Sequence, residues 1–537
     1  MTPPVDRPRT EHARQALGGM VCTVDHVASG AGVRLLDAGG NAVDAAIGAS
    51  AVLAVTTQHM CGMGGDLWAL VHDGSAVPKT LNASGRAGSG SDASQLRSEG
   101  FATMPFRGDI RSTPVPGCVD GWLALHDQMG SLPLADIFAA AIDVAENGFV
   151  ASPQLGAMIE PIAAIDGADD YRSAGRPALA GEIIRRPGIA RSLRAIAAEG
   201  RAAWYEGEFG AGLQRVGDGL FTAADLAQIQ AEWVEPTTVD AWGHRLWTVP
   251  PNSQGYLSLA GAAIAAGLDL PDDPDDPEWA HLLLESSKQA AFDRLDVLHE
   301  HADGGALVDE ARLAPRRARI GAEASTLTPP AAGGGTIYLC TADGSGMGVS
   351  LMQSNAAGFG AHVAVREVGV FLHNRGVGFS LVEGHPAELA PGRRPPSTLA
   401  PAMVTRTDGS LRAVLGTMGG DGQPQVVLQL LARLLQVGSN PGRTMTAPRF
   451  SLTVPKAAGF DTWHRRHELL VAVEQGSTWV DGLTARGHDV VERPWGEGLF
   501  GHAHLVDVAE PSDQESGRRV LSGVADPRAL TGAAVGL

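Results

Sequence analysis

The chain has 537 residues, 44% of them hydrophobic, so it is long enough to bury a large core. Its formal net charge of −19 disfavours nucleic acid and anionic membrane surfaces as partners. No run of eighteen apolar residues occurs, so the sequence predicts no membrane span. Residues 1–7 lack the apolar segment of a secretory signal, which leads us to expect a cytoplasmic protein. The four cysteines have no paired spacing, so neither a disulfide framework nor a zinc site is expected.

The amino-terminal part predicts helices joined by tight turns. Residues 30–55 contain two helices, the second beginning after the N-cap residue Asn41. A strand is predicted at 67–72, after a glycine-rich stretch that lacks the pattern of a phosphate loop. Arg86 then follows a strand edge, and another helix is predicted at 134–147.

The middle and the carboxyl-terminal part predict further helices and two notable loops. Residues 150–250 are expected to be mainly helical, and 281–301 to form one helix. A proline-rich loop at 394–401 presents two adjacent hydroxyl groups. A strand then enters the glycine-rich stretch 416–422, and a helix follows from about 424 to 436.

Residues 329–354 are predicted to hold a β-hairpin behind a proline- and glycine-rich lead-in. Thr336 lies where the lead-in ends and the first strand begins. If the Gly335–Thr336 bond is cut, Thr336 gains an α-amine, which titrates near ~7.7–8 and can activate its own hydroxyl as a nucleophile. The alternative is an ordinary threonine at a strand start.

Two glycines of the stretch 416–422 are candidates for an oxyanion site. Gly419 and Gly420 precede a predicted helix, and unpaired N–H groups at a helix start favour negative charge. Such groups can bind a carboxylate or stabilise an oxyanion.

Several segments, in this order along the chain, resemble the gamma-glutamyltransferase (glutathione hydrolase) family of N-terminal-nucleophile (Ntn) hydrolases. The matching segments are 39–46, 115–117, 281–288, 343–346, 394–398, 419–420, 447–450 and 525–528. The resemblance implies an α/β fold, the four-layer αββα sandwich of these hydrolases, formed jointly by two self-cleaved chains. These would be 1–335, the large subunit, and 336–537, the small subunit, which together form one intertwined domain.

The resemblance also implies roles for particular residues. The family's nucleophile falls on Thr336 and its cleavage site on Gly335–Thr336. Its other site residues fall on Gly419 and Gly420 for the oxyanion, on Gln353 and Asn355 for support of the threonine, and on Arg86, Ser397 and Thr398 for the substrate carboxylate.

Two positions depart from the family pattern. The transferases carry an aspartate near Gly378 that pairs with the substrate's α-ammonium, whereas the run 373–379 holds no carboxylate. Asn374 and Arg375 of this run are expected to bind the substrate instead, with Arg375 adding positive charge. Ala87 also stands where a glutamate normally follows the arginine. The site is therefore expected to bind an anion but to have lost one reason to prefer gamma-glutamyl groups.

We expect an amide hydrolase or acyltransferase that needs no metal and no cofactor. Its substrate would be a gamma-glutamyl or related carboxylate-bearing amide, and water or an amino acceptor would release the acyl group. Three alternatives remain open: a glutaryl-type (cephalosporin) acylase, an amidohydrolase for small 2-oxo-acid amides such as oxamate, and an uncleaved anion-binding protein. The two processed chains are expected to stay associated, and pairing of two such units is left open.

Overall fold

The computed structural model describes residues 13–327, 336–454, 469–510 and 518–537. Thr336 is among them, whereas Gly335 lies outside the described residues. The α-helices are α1 His26–Asp37, α2 Ala42–Thr56, α3 Ala93–Ser98, α4 Cys118–Met129, α5 Leu134–Asn147, α6 Pro153–Ile159, α7 Pro187–Glu199, α8 Arg201–Tyr205, α9 Glu208–Gly217, α10 Ala223–Ala227, α11 Tyr256–Ala266, α12 Pro277–Ala291, α13 Arg294–Val297, α14 Gly304–Val308, α15 Glu310–Arg317, α16 Gln423–Leu431, α17 Pro441–Thr446 and α18 Val480–Ala485.

The strands are β1 Arg14–Ala16, β2 Gly19–Thr23, β3 Asp66–His72, β4 Lys79–Ala83, β5 Phe149–Val150, β6 Arg172–Ser173, β7 Arg176–Pro177, β8 Ile183–Ile184, β9 Glu232–Val234, β10 Thr237–Ala241, β11 His244–Thr248, β12 Ile337–Asp343, β13 Gly348–Ser354, β14 Ala364–Val365, β15 Val370–Phe371, β16 Ala402–Thr405, β17 Leu411–Thr417, β18 Phe450–Thr453, β19 Leu470–Glu474, β20 Val490–Arg493, β21 Ala503–Val508, β22 Leu521–Ala525 and β23 Ala533–Gly536.

Two seven-stranded sheets form the centre of the molecule. One has the order β23-β2-β12-β13-β3-β4-β9, and the other β1-β22-β21-β17-β16-β11-β10. Apolar side chains from both sheets, including Trp68, Trp247 and Tyr338, form a buried cluster between them. Helices α1, α2 and α5 pack on the outer face of the first sheet, and α11, α12 and α16 on that of the second. The result is a four-layer αββα sandwich, as expected.

Each sheet combines strands from both sides of residue 336. In the first sheet β12 lies between β2 and β13, and β13 pairs with β3. In the second sheet β16 pairs with β11. Because neighbouring strands come from both segments, neither 1–335 nor 336–537 contains all the strands of either central sheet. Within the described residues, no helix is both long and apolar enough to cross a membrane.

The helix starts predicted after Asn41 and at Leu134 and the central hairpin are confirmed, and two other predictions are wrong. Asn41 caps α2 by accepting hydrogen bonds from the N–H groups of Val43 and Asp44. The stretch 150–250 is not mainly helical, because it also contributes β9, β10 and β11 to the sheets. The helix predicted at 281–301 begins earlier and ends at Ala291, and the short α13 follows.

Candidate active site

Thr336 lies directly before β12, with its side chain buried. In the hairpin Ile337 lies opposite Gln353, so Thr336 comes opposite Ser354. The Thr336 Oγ1 and Ser354 Oγ atoms are 3.0 Å apart and share a hydrogen bond. Ser354 Oγ also accepts a hydrogen bond of 2.8 Å from the N–H of Ala356. The backbone therefore holds the serine hydroxyl against the threonine hydroxyl.

Ser354 was not anticipated from the sequence, which indicated its neighbours Gln353 and Asn355. Successive side chains of a strand point to opposite faces of the sheet. Gln353 Oε1 accepts a hydrogen bond from Ser50 on α2, and its amide nitrogen lies 3.0 Å from Cys118 Sγ. The structure thus brings Ser354, rather than Gln353, to the threonine hydroxyl. The hairpin register could have identified this residue, because pairing around the turn at 343–346 places 354 opposite 336.

Asn355 lies just beyond Ser354 and is buried. Its side-chain amide donates a hydrogen bond of 2.9 Å to the carbonyl of Gln58, and its N–H donates to the carbonyl of Met60. Among the described residues its Oδ1 atom has no hydrogen-bond partner. Asn355 therefore offers a buried acceptor on the same loop as the Thr336 partner.

Gly419 and Gly420 lie between β17 and α16, with φ angles of +135° and +54°. Their carbonyl groups are held by the chain, because Gln254 donates to that of Gly420 and Gly422 N–H donates to that of Gly419. A Cβ on Gly419 would meet no atom closer than 3.7 Å, so the space beside this residue is open. Its backbone conformation, rather than crowding, is what requires glycine there.

A buried ion pair between Asp66 and Arg375 lies next to Ser354, on the neighbouring strand β3. Ser354 pairs with Asp66 of β3, and Asp66 accepts a hydrogen bond of 2.7 Å from Arg375 Nε. Arg375 also donates to Thr398 Oγ1 at 2.9 Å. Ser397 is buried beside Thr398, with its N–H on the carbonyl of Asn252. Two of the residues predicted to bind substrate, Arg375 and Thr398, are thus in direct contact.

Arg86 forms ion pairs with two glutamates. Its guanidinium lies 2.8 Å from Glu300 and 3.1 Å from Glu232, and Arg394 also contacts Glu232. An arginine already paired with two carboxylates would have to exchange a partner in order to bind a substrate carboxylate. Its predicted role as a substrate ligand remains a prediction.

Asn374 connects two loops beside the site. Its Oδ1 accepts a hydrogen bond from the N–H of Ala357, and its Nδ2 donates to the carbonyl of Phe106. Asn374 therefore fixes the loop that follows Ser354 to the loop around Phe106.

A cavity of about 540 Å³ is lined by residues from the loop after Ser354 and from the stretch before Gly419. Met418, directly before Gly419, lines one wall, and Ala357 and Gly358, which follow Asn355, line another. Its volume is in the range of small-molecule sites. His59 and His502 also line it, and burial lowers their pKa to about 3 and about 4, so both imidazoles are neutral at pH 7.

Three potential metal ligands, His281, Glu285 and His488, come together elsewhere in the described parts of the chain. His281 Nδ1 lies 2.8 Å from His488 Nε2, and Glu285 forms an ion pair of 2.8 Å with Lys288. Burial lowers the pKa of both histidines. These contacts form a buried polar network between α12 and the segment after α18, and we assign no cation to it.

A family model described as gamma-glutamyltranspeptidase matches residues 28–536. The chain belongs to the gamma-glutamyltranspeptidase family. It is 35% identical to the glutathione hydrolase-like YwrD proenzyme of Bacillus subtilis (strain 168), over 96% of this chain and 98% of that protein. It is 32% identical to the oxamate amidohydrolase proenzyme of Klebsiella pneumoniae subsp. pneumoniae, with the same coverage.

A solved structure has the same architecture over the whole chain. The cephalosporin acylase from Bacillus halodurans superposes with a TM-score of 0.88 at 31% identity, covering 100% of this chain and 99% of that one. The protein is accordingly a hydrolase of this family with the Ntn-hydrolase fold.

Proposed function

We propose that Thr336 is the nucleophile of this hydrolase and that cleavage of the Gly335–Thr336 bond creates it. The observation that carries the proposal is the hydrogen bond of 3.0 Å between the buried hydroxyl groups of Thr336 and Ser354 at the start of β12. A free α-amine on Thr336 would lie beside its own hydroxyl and, with a pKa near ~7.7–8, would serve as general base at neutral pH.

In the proposed reaction the α-amine takes the hydroxyl proton while Oγ1 attacks the amide carbonyl. The N–H groups of Gly419 and Gly420 stabilise the resulting oxyanion. The amide C–N bond breaks as the proton moves to the leaving nitrogen, which leaves an acyl ester on Thr336. Water, or an amino acceptor, then attacks the ester and gives its proton to the α-amine, and the acyl product departs as the threonine hydroxyl is restored.

We propose that the substrate is an amide with a carboxylate but without an α-ammonium group. A buried ammonium group needs an acidic partner, and binding it without one costs roughly 3–5 kcal/mol of binding free energy. The acids nearest the site already face arginines: Asp66 contacts Arg375, and Asp421 lies 3.7 Å from Arg294. The names of two relatives, an oxamate amidohydrolase and a cephalosporin acylase, agree with this class. A gamma-glutamyl donor is the runner-up.

The test compares kcat/KM for gamma-glutamyl-anilide and glutaryl-anilide, which differ by the α-ammonium group, on the processed protein. Oxamate is assayed in parallel by ammonia release. We expect glutaryl-anilide or oxamate to be turned over better than the gamma-glutamyl compound. A clear preference for gamma-glutamyl-anilide would reject this substrate class and leave the role of Thr336 intact.

We also propose that the processed chains stay together in the cytoplasm. Each central sheet takes strands from both sides of residue 336, so separation of the chains would break both sheets. The four cysteines are buried and free, which suits a reducing compartment. Cell fractionation tests the location, and size-exclusion chromatography tests whether two such units pair.

A further inference from the structure

Among the described residues that line the 540 Å³ cavity, Arg107 is the one with a cationic side chain. The residues on both sides of Arg107 are fixed to the site loops. Asn374 Nδ2 donates to the carbonyl of Phe106 at 2.8 Å, and Gly108 N–H donates to the carbonyl of Ala361 at 2.7 Å. The loop thus carries Arg107 at a defined position over the cavity.

The Arg107 side chain is exposed, and its guanidinium has no acidic partner among the described residues. The guanidinium carbon lies 5.2 Å from the centre of the Phe106 ring, and one guanidinium nitrogen lies near Gly358. The arginines predicted to bind substrate differ in this respect, because Arg86 is paired with two glutamates and Arg375 with Asp66. Arg107 could therefore bind an anion without giving up an ion pair.

The remaining cavity wall carries no carboxylate in the described residues and is largely apolar. Its apolar members are Met60, Phe106, Ala157, Met158, Ala357 and Met418. His59 and His502 are neutral at pH 7, because burial lowers their pKa. A single guanidinium in an apolar wall favours a ligand with an apolar body and one anionic group.

We propose that Arg107 binds the carboxylate of the substrate and that the cavity accepts the apolar part next to it. The inference rests on the proposed function for its reaction and deepens it by naming the specificity residue. Arg107 is then the principal carboxylate ligand in place of Arg86. The carboxylate belongs either to the acyl group or to the leaving amine, and the experiment separates these two sources.

The experiment measures KM and kcat of wild type, Arg107→Gln and Arg107→Lys on three anilides. Glutaryl-anilide carries the carboxylate on the acyl side, the valeryl amide of 4-aminobenzoate carries it on the leaving side, and valeryl-anilide carries none. Because Arg107 is exposed and its charge is partly screened by water, Arg107→Gln should raise KM about three- to tenfold for one carboxylate compound. Valeryl-anilide should change less than about twofold, and Arg107→Lys should recover part of the loss because it keeps the charge without the fork.

Arg245→Gln is the matched control, since this exposed arginine of β11 forms an ion pair with Asp240 at the edge of the second sheet. It should leave all three KM values unchanged. Equal KM changes for Arg107→Gln on charged and neutral anilides, or no change on any of them, would overturn the inference.

A second readout does not depend on turnover. Glutarate should raise the melting temperature of wild type and of Arg245→Gln but not of Arg107→Gln. If wild type hydrolyses none of the anilides and glutarate still stabilises it through Arg107, the reaction proposal fails and the anion site stands. If the anilides are hydrolysed but glutarate stabilises wild type and Arg107→Gln equally, the anion site fails and the reaction stands.

Discussion

At the residue scale, two hydroxyl groups define the proposed reacting position. Thr336 Oγ1 and Ser354 Oγ lie opposite each other on the two strands of one hairpin, and the N–H of Ala356 fixes the serine. The next strand brings Asp66, which is neutralised by Arg375. Of the groups in this row, Ser354 is the one that contacts the hydroxyl of the proposed nucleophile, Thr336.

We predict that Ser354→Ala slows both self-cleavage and turnover. The variant removes one neutral hydrogen bond to the Thr336 hydroxyl, a contribution of about 0.5–1.5 kcal/mol, so kcat should fall about three- to tenfold. Ser354→Thr, which keeps the hydroxyl, is the control and should retain most activity. The measurement is the processing rate on a denaturing gel and kcat with the preferred anilide. Unchanged rates in the alanine variant would remove Ser354 from the site.

Gly419→Ala should lower kcat by about 10²–10³, the effect of losing one oxyanion donor. The φ angle of +135° is one that a residue with a side chain rarely adopts, so the loop would have to rotate its N–H groups. Gly74→Ala is the matched control. Gly74 also has a positive φ, +93°, and it follows the carboxyl end of β3, the end opposite Asp66. The control should lose stability but keep its kcat. Equal kcat values for both variants would exclude Gly419 from oxyanion stabilisation.

Part of this site could be predicted from the sequence. The position of Thr336 at a strand start and the glycine pair before α16 followed from local patterns. Ser354 required the register of the hairpin, and the ion pairs of Arg86 required Glu232 and Glu300, which are distant in sequence. The packing of Arg107 against Phe106 could not be predicted either, because it depends on how Asn374 holds that loop.

At the element scale, α2 supports the turn of the central hairpin. The N–H of Ala42, at the start of the helix, donates to Asp343, and Thr341 Oγ1 donates to the carbonyl of Ala42. The N-cap and the hairpin thus stabilise each other. The α2 start was predictable because Asn41 is a strong local signal. Strands β10 and β11 were missed because each has only five residues and is identified by its pairing in the sheet.

Asn41→Ala should lower the free energy of unfolding by about 0.5–2 kcal/mol, because it removes the acceptor for Val43 and Asp44 N–H. Asn147→Ala is the control, since Asn147 is the exposed last residue of α5. Urea titrations of both variants measure the difference. A loss in Asn41→Ala no larger than in the control would show that the cap contributes little.

At the scale of the whole molecule, burial of neutral histidines makes stability depend on pH. Burial lowers the pKa of His59 and His504 to about 3 and that of His373 to about 4. The unfolded chain binds protons on these groups near ~6.5, whereas the folded protein does not. Their contribution to stability is therefore complete above pH ~6.5 and is lost as the pH falls towards about 4.

His373→Gln should reduce the dependence of stability on pH in this window. Each histidine that gains a proton only on unfolding contributes a slope of up to about 1.4 kcal/mol per pH unit. The variant should be less stable at pH 7.5, because His373 bonds the carbonyl of Pro114, but its loss between pH 6 and 4.5 should be shallower. Urea titrations at several pH values measure this slope. A slope equal to that of wild type would contradict the prediction.

The two sheets also explain how one continuous chain can become two chains without losing its fold. Both sheets contain strands from each side of residue 336, and the cluster between them includes residues of both segments. A cut before Thr336 would free its amine while the paired strands hold it in place.

The most direct test of the role of Thr336 is the intact mass of the purified protein under denaturing conditions. We expect two chains with the masses of residues 1–335 and 336–537, the smaller one beginning with threonine. Thr336→Ala should remain one chain of 537 residues and have no amidase activity. A wild-type protein that remains one chain, or an alanine variant that is processed and active, would contradict Thr336 as the nucleophile.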